Sequence, residues 1–252
     1  MDDSVFDRAQ EFAARIFEGD SGGHDIYHTV RVHALARAIC EAEGGDERVV
    51  RLSALLHDVD DPKLFGDGVL RNARRFMESE GIPQETQEKV FAIISSISFK
   101  GTGRSVPESL EGRIVQDADR LDAIGAIGVA RAFAYGGSKG RAMHVPGAES
   151  REFQSESEYR SSDGTTINHF HEKLLKLKGL MNTETAKRMA EDRHRYMEGF
   201  LEEFMAEWDG LRRCHVLRLT LKFYENRIIQ NYIKRITKEK RIHALVLNRI
   251  ST

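Results

Sequence analysis

An all-α fold is predicted for this chain, on three observations. Apolar residues recur at helical spacing in one segment after another. Glycine- and proline-bearing turns punctuate those segments. The inward faces of several segments also carry histidine or aspartate among the aliphatic residues. A polar group buried without a partner costs about 1–3 kcal/mol, so such residues call for a reason.

The elements follow in order. Residues 3–18 place Val5, Phe6, Ala9, Phe12, Ala13 and Ile16 on one face, and Gly19 ends the run. Ser21-Gly22-Gly23 is a turn before a second helix that opens near Asp25. On that helix His28, Val32, Leu35 and Ile39 share a face, which points His28 inward. His24 lies one turn earlier, at the helix mouth, where it projects into a cleft. Gly44-Gly45 breaks the helix, and Asp46 is suited to cap the next, residues 47–58. Val49, Leu52, Leu55 and Leu56 form its buried face, with His57 and Asp58 on its last turn. Residues 69–80 and 84–97 read as two more helices, separated by Gly81-Ile82-Pro83.

Residues 108–135 read as one long helix carrying Asp117, Asp119 and Asp122. Asp119 and Asp122, three apart, share a face while Asp117 points elsewhere. Gly125 and Gly128 indicate close helix packing rather than a break. Residues 136–166, rich in Gly, Ser, Glu and Arg, read as a long irregular loop, and loops of that length commonly act as lids. Residues 168–178 form a short helix with His169, His171 and Lys173. Residues 183–208 form a longer one, with Thr183 at its start and Ala186, Met189, Ala190, Met197, Phe200, Leu201 and Phe204 facing in.

At 252 residues, 40% hydrophobic and 31% charged, the chain has the composition of a globular protein with one well-buried domain. It has no run of about 18 apolar residues. The acidic start Met1-Asp2-Asp3 leads into no cleavable apolar segment, so no membrane association and a cytoplasmic location are expected. Cys40 and Cys214 are the only cysteines, which gives neither a disulfide framework nor a cysteine zinc site. The net charge of -2 argues against nucleic acid as the domain's partner. That charge is unevenly spread. Residues 211–252 hold 11 Lys and Arg against 2 Asp and Glu, net +9, which leaves -11 for residues 1–210. An acidic domain, 1–210, is therefore followed by a basic C-terminal extension, 211–252. An anionic partner for that extension, or docking on its own domain, stays open.

The chemistry-bearing residues fall in three stretches. The first is Gly23-His24-Asp25-Ile26-Tyr27-His28-Thr29-Val30-Arg31-Val32. The second is Leu55-Leu56-His57-Asp58-Val59-Asp60-Asp61, and the third is Gln116-Asp117-Ala118-Asp119-Arg120-Leu121-Asp122-Ala123. A His-Asp pair by itself is ordinary surface chemistry. In the order H…HD…D, with these flanks, the chain resembles the HD-domain superfamily of metal-dependent phosphohydrolases. The run from Asp117 through Gly128 and the later His169-Phe170…Lys173-Leu174 are similar to a branch of bacterial-type, single-domain nucleotide pyrophosphohydrolases. The resemblance covers roughly residues 4–210 and implies an HD-domain helical bundle.

Carried over position by position, the resemblance implies His28, His57, Asp58 and Asp119 as ligands of one divalent metal ion. A mixed imidazole–carboxylate shell suits Mn²⁺, Fe²⁺, Co²⁺, Ni²⁺ or Mg²⁺ without choosing among them. It further implies Asp61 as a residue that orients water and His24 as a proton donor to the leaving oxygen. Lys63, Lys100, Arg120 and Lys173 are candidates for the substrate phosphates, and Arg31 for an ion pair that holds its helix. Residues 98–104 place Lys100 and Arg104 around two glycines without the P-loop pattern. Dinuclear relatives continue HD-x-G-K; here His57-Asp58 continues Val59-Asp60-Asp61, which favours a mononuclear site and argues against a cyclic-dinucleotide substrate.

The activity implied is hydrolysis of a nucleoside triphosphate to monophosphate and pyrophosphate. A 5′-nucleotidase-type phosphomonoesterase would use the same ligands. A nucleotide-binding regulatory module would keep them without turnover. An oligomer is compatible with each.

Overall fold

The computed structural model describes residues 3–18, 26–61, 69–97, 106–151 and 164–210. Among these there are nine α-helices, one 3₁₀ segment and no strand, so the fold is all-α as the periodicity predicts. The chain divides into two compact units, Met1–Gly199 and Phe200–Thr252.

In the first unit α1 (Ser4–Ile16) precedes α2 (Ile26–Glu43) and α3 (Glu47–Leu56). These are followed by α4 (Arg71–Ser79), α5 (Gln84–Ile97), α6 (Leu110–Asp122) and α7 (Gly125–Ser138). The helix α8 (Thr166–Glu172) and a 3₁₀ segment (Leu174–Leu180) then lead to α9 (Glu184–Trp208), which crosses into the second unit. In the described part of the second unit, the rings of Phe200, Phe204 and Trp208 follow one another at single-turn spacing, with centroids 6.0 and 5.8 Å apart. The basic extension lies outside the described residues.

The centre of the first unit is a triangle of α2, α3 and α6, each packed on the other two. Val32, Ala36 and Ile39 of α2, Leu52, Leu55 and Leu56 of α3, and Ile114, Val115, Ala118 and Leu121 of α6 are all buried in it. At roughly 25 cal/mol per Å² of apolar surface removed from water, these aliphatic contacts hold the three helices in register. On α2 the inward stripe runs through His28, Val32, Ala36 and Ile39, with Leu35 half-buried at its side. Asp46 caps α3 as expected, accepting from the Arg48 and Val49 amides at 3.0 and 3.2 Å.

Several expected boundaries change. The helix expected over residues 108–135 is two helices, α6 and α7, parted at Ile124. Gly125 makes the turn with φ +77, a conformation that costs a side chain dearly. The close packing expected at Gly128 is present as well, since a Cβ there would lie 2.3 Å from the Ala123 carbonyl oxygen. Helix α3 ends at Leu56, so His57 and Asp58 sit in the turn just beyond it, although His57 keeps helical angles (φ -62, ψ -33).

The irregular stretch expected over 136–166 is shorter at both ends, because α7 runs to Ser138 and α8 starts at Thr166. The start of α8 is tied back to that stretch: Thr166 and Ile167 donate to the carbonyls of Ala142 and Met143, each at 3.0 Å. Residues 152–163, on which much of the expected lid falls, lie outside the described residues. The helix expected over 168–178 changes at Lys173 from α to 3₁₀.

Candidate metal centre

Two imidazoles meet where α2, the end of α3 and α6 converge. Their Nε2 atoms face each other at 3.3 Å, with ring centroids 5.2 Å apart and planes inclined at 66°. Asp58 Oδ2 lies 3.2 Å from His57 Nε2 and 3.5 Å from His28 Nε2. Asp119 Oδ1 lies 3.4 Å from His28 Nε2. Ligand atoms of His28, His57 and Asp119 all fall within 4.8 Å of one another, a group of the size a single ion can hold. The two histidine side chains are 5% and 4% exposed, Asp58 17% and Asp119 40%, so the imidazoles form a floor and Asp119 an open rim.

The far nitrogen of each ring is occupied. His57 Nδ1 donates to the Ala54 carbonyl at 2.9 Å, one turn back along α3. His28 Nδ1 is 2.8 Å from Asp122 Oδ2. Hydrogen bonds of this kind fix the ring's tautomer and turn its other nitrogen toward a metal. Two Nε2 lone pairs facing each other beside two carboxylates repel unless positive charge lies between them. The proton affinity of His28 reports the same demand. Burial pushes it down, but hydrogen bonds to Asp119, Asp122 and Asp58 outweigh that and raise its pKa to about 11. Burial also opposes a proton on His57, and Asp58 reverses the shift to an upward one. Burial would raise the pKa of Asp119, yet its hydrogen bond to His28 brings it below the ordinary carboxylate value. A divalent cation meets that demand with ligands of the right type, so the residues fit one. Nothing in the donor set selects among the divalent ions.

The other acids in the two motifs have different partners. Asp60 is buried and accepts from the amides of Asn72 and Ala73, both at 2.8 Å, and so caps the start of α4. Asp117 is fully buried. It accepts from the Asn182 amide and side chain, and from the Thr183 amide and hydroxyl, with shortest distances of 2.8 Å. It thereby caps α9 from a neighbouring helix. Asp61 is half-buried, in a turn closed by its own amide on the Asp58 carbonyl at 3.0 Å.

Of the expected phosphate contacts, Arg120 donates to the Leu180 carbonyl of the 3₁₀ segment. Lys173 ends α8, where burial first, and then the charges of Lys173 and Arg141, push the pKa of His169 down to about 4. His24, Lys63 and Lys100 lie outside the described residues. Arg31 makes the ion pair foreseen for it, to Asp122 at 2.7 Å. Two contributors were not foreseen: Asp122 as the partner of His28, and Arg131, whose Nη1 donates to Asp122 Oδ2 at 2.6 Å. The spacing of three from Asp119 is the one sequence signal that pointed toward Asp122.

The family model for the HD domain matches residues 25–124, which contain all four of these converging side chains. The chain is 38% identical over 201 residues to the protein YpgQ of Bacillus subtilis, spanning 78% of this chain and 90% of YpgQ. The crystal structure of YpgQ in complex with ADP is similar at a TM-score of 0.65 and 33% identity, over 81% of this chain and 95% of that one. An HD-superfamily hydrolase from Bacillus thuringiensis is similar at a TM-score of 0.66 and 43% identity, over 81% and 96% of the two chains. A structure from Lactobacillus plantarum reaches a TM-score of 0.72 at 39% identity, over 83% and 99%.

Proposed function

This chain belongs to the HD-domain superfamily of phosphohydrolases, and we propose that it hydrolyses nucleotides with one divalent metal ion, releasing pyrophosphate from a nucleoside triphosphate. The observation that carries the reading is the pair of Nε2 atoms facing each other at 3.3 Å beside Asp58 and Asp119. ADP in the crystal structure of YpgQ supports a nucleotide as the ligand class.

His28, His57, Asp58 and Asp119 hold the ion in this reading. Bound there, a divalent ion would supply Lewis-acid chemistry, polarising a phosphoryl oxygen and lowering the pKa of water. The remaining work falls to the chain. Asp122 and the Ala54 carbonyl fix the directions of the two imidazoles. Asp61 orients water, and His24 protonates the leaving oxygen, a task suited to a group that titrates near neutrality. Lys63, Lys100, Arg120 and Lys173 supply positive charge for the phosphates, and residues 1–210 form the hydrolase domain.

The test is product analysis on metal-stripped protein reloaded in turn with Mn²⁺, Co²⁺, Ni²⁺ and Mg²⁺ and given nucleoside mono- and triphosphates. Metal-dependent pyrophosphate from a triphosphate is expected. Inorganic phosphate from a monophosphate would make the protein a phosphomonoesterase of the nucleotidase type. Metal and nucleotide binding with no product would make it a regulatory module.

A further inference from the structure

We infer that Asp122 and Arg131 are positioning residues that set the orientation of the His28 imidazole, so that α7 helps to hold the metal although it supplies no ligand. The inference rests on His28 being a ligand, as read above.

Asp122 is the last residue of α6, and its side chain is 2% exposed. A carboxylate so deeply buried stays ionised only if it is well paired. Arg31, one turn after His28 on α2, donates Nε to Oδ1 at 2.7 Å and Nη2 to Oδ2 at 3.0 Å. That fork alone matches the carboxylate's charge and geometry. A second guanidinium nevertheless arrives from another helix. Arg131 Nη1 donates to Oδ2 at 2.6 Å, and it lies 3.3 Å from His28 Nδ1. His28 and Arg131 therefore converge on a single oxygen. If the imidazole turned about its Cβ–Cγ bond, Nδ1 would lose that oxygen. Arg31 anchors the carboxylate to α2, and Arg131 braces from α7 the very oxygen that meets the ring.

The reach of Arg131 is set by the turn between α6 and α7. Gly125 takes φ +77 there, and a Cβ at this position would meet the Arg193 side chain at 3.0 Å. Arg193 in turn donates to the Leu121 carbonyl, one residue before Asp122. Gly128 lets the first turn of α7 come down onto the Ala123 carbonyl, at a distance no side chain could occupy. Arg131 stands three residues further on. The turn is thus shaped at two glycines so that one arginine reaches the back of a metal ligand.

The experiment measures Mn²⁺ affinity by titration calorimetry on the metal-stripped full chain, with the visible spectrum of the Co²⁺-loaded protein as a report on ligand geometry. Removing a group that orients a metal-bound histidine typically weakens metal binding by about 10–100-fold. Arg131→Met is expected to lose affinity in that range and shift the Co²⁺ spectrum. It should also lower kcat with KM for the nucleotide unchanged. Arg131→Lys, which keeps a donor, should recover part of the loss and covers the case in which the methionine variant fails to fold. Asp122→Asn should behave as Arg131→Met. Wild-type Mn²⁺ affinity and Co²⁺ spectrum in both arginine variants would overturn the inference. So would a raised KM at unchanged Mn²⁺ affinity, which would make Arg131 a substrate contact. Failure of the underlying reading shows separately, as wild-type protein that binds no Mn²⁺ at all.

Discussion

The two acidic motifs of this chain look unlike in sequence and divide their labour alike. In His57-Asp58-Val59-Asp60-Asp61, Asp58 faces the paired imidazoles while Asp60 caps α4. In Asp117-Ala118-Asp119-Arg120-Leu121-Asp122, Asp119 faces the same imidazoles while Asp117 caps α9. Each motif thus turns one carboxylate toward the imidazoles and another, two residues away, toward the amides of a helix start. Helix N-termini attract negative charge because their unpaired amides leave an excess of positive potential. Counting acids in a motif therefore overstates its chemistry. The direction of each side chain decides which ones are reactive.

The sharpest way to break this comparison is to exchange the roles. His57→Ala or Asp58→Ala should reduce metal binding below detection and abolish turnover, with helical circular dichroism close to wild type, because the aliphatic core of α2, α3 and α6 is untouched. Full activity in either variant would remove the ligand assignment.

Asp117→Ala should do the reverse. It strips the acceptor from the amides of Asn182 and Thr183, and a buried donor without a partner costs about 1–3 kcal/mol each. A lowered melting temperature with wild-type metal affinity per folded molecule is expected. Asp60→Ala removes a cap with two backbone donors and should cost about 1–2 kcal/mol. In a chain of this size that is a shift of roughly 2–4 °C per kcal/mol. A fall in Mn²⁺ affinity in either capping variant, at unchanged stability, would show that the division of labour is wrong.

The fold class was legible in the helical period, a repeated local signal, whereas the convergence of His28, His57, Asp58 and Asp119 was legible only through the family resemblance carried by the H…HD…D order. Asp46 was legible as a cap since its amide partners are the next residues along the chain. Asp60 and Asp117 were not legible. Their partners lie 12 and 13, and 65 and 66, residues away, and no local pattern announces a cap supplied across such a gap. The break at Gly125 was hidden for a related reason. The apolar period continues through it, and only the backbone angle shows that the axis changes. Arg131 had no signal, since its contact follows from that change of axis.

A smaller effect comes from two histidines on one helix. His28 and His33 both belong to α2, yet their surroundings act in opposite senses. Carboxylates raise His28, whereas burial and then the charges of Arg51 and Arg37 push His33 down to about 4 from an ordinary 6.5. Neutral His33 accepts from Arg51 Nε at 3.3 Å, and the same guanidinium lies 3.5 Å over the Phe6 ring, so a proton on His33 would unseat a contact between α1, α2 and α3. Between pH 6.5 and 4 the unfolded chain binds the proton that the folded chain refuses. His33 therefore contributes stability that is fully present above 6.5 and is lost as pH falls toward 4. The ceiling is about 1.4 kcal/mol per pKa unit, lowered by the water that reaches a half-buried ring. His33→Gln keeps an acceptor for Arg51 and cannot titrate. Its urea midpoint should match wild type at pH 7 and fall less steeply on acidification. Parallel curves for the two proteins would mean that Arg51 does not hold His33 neutral.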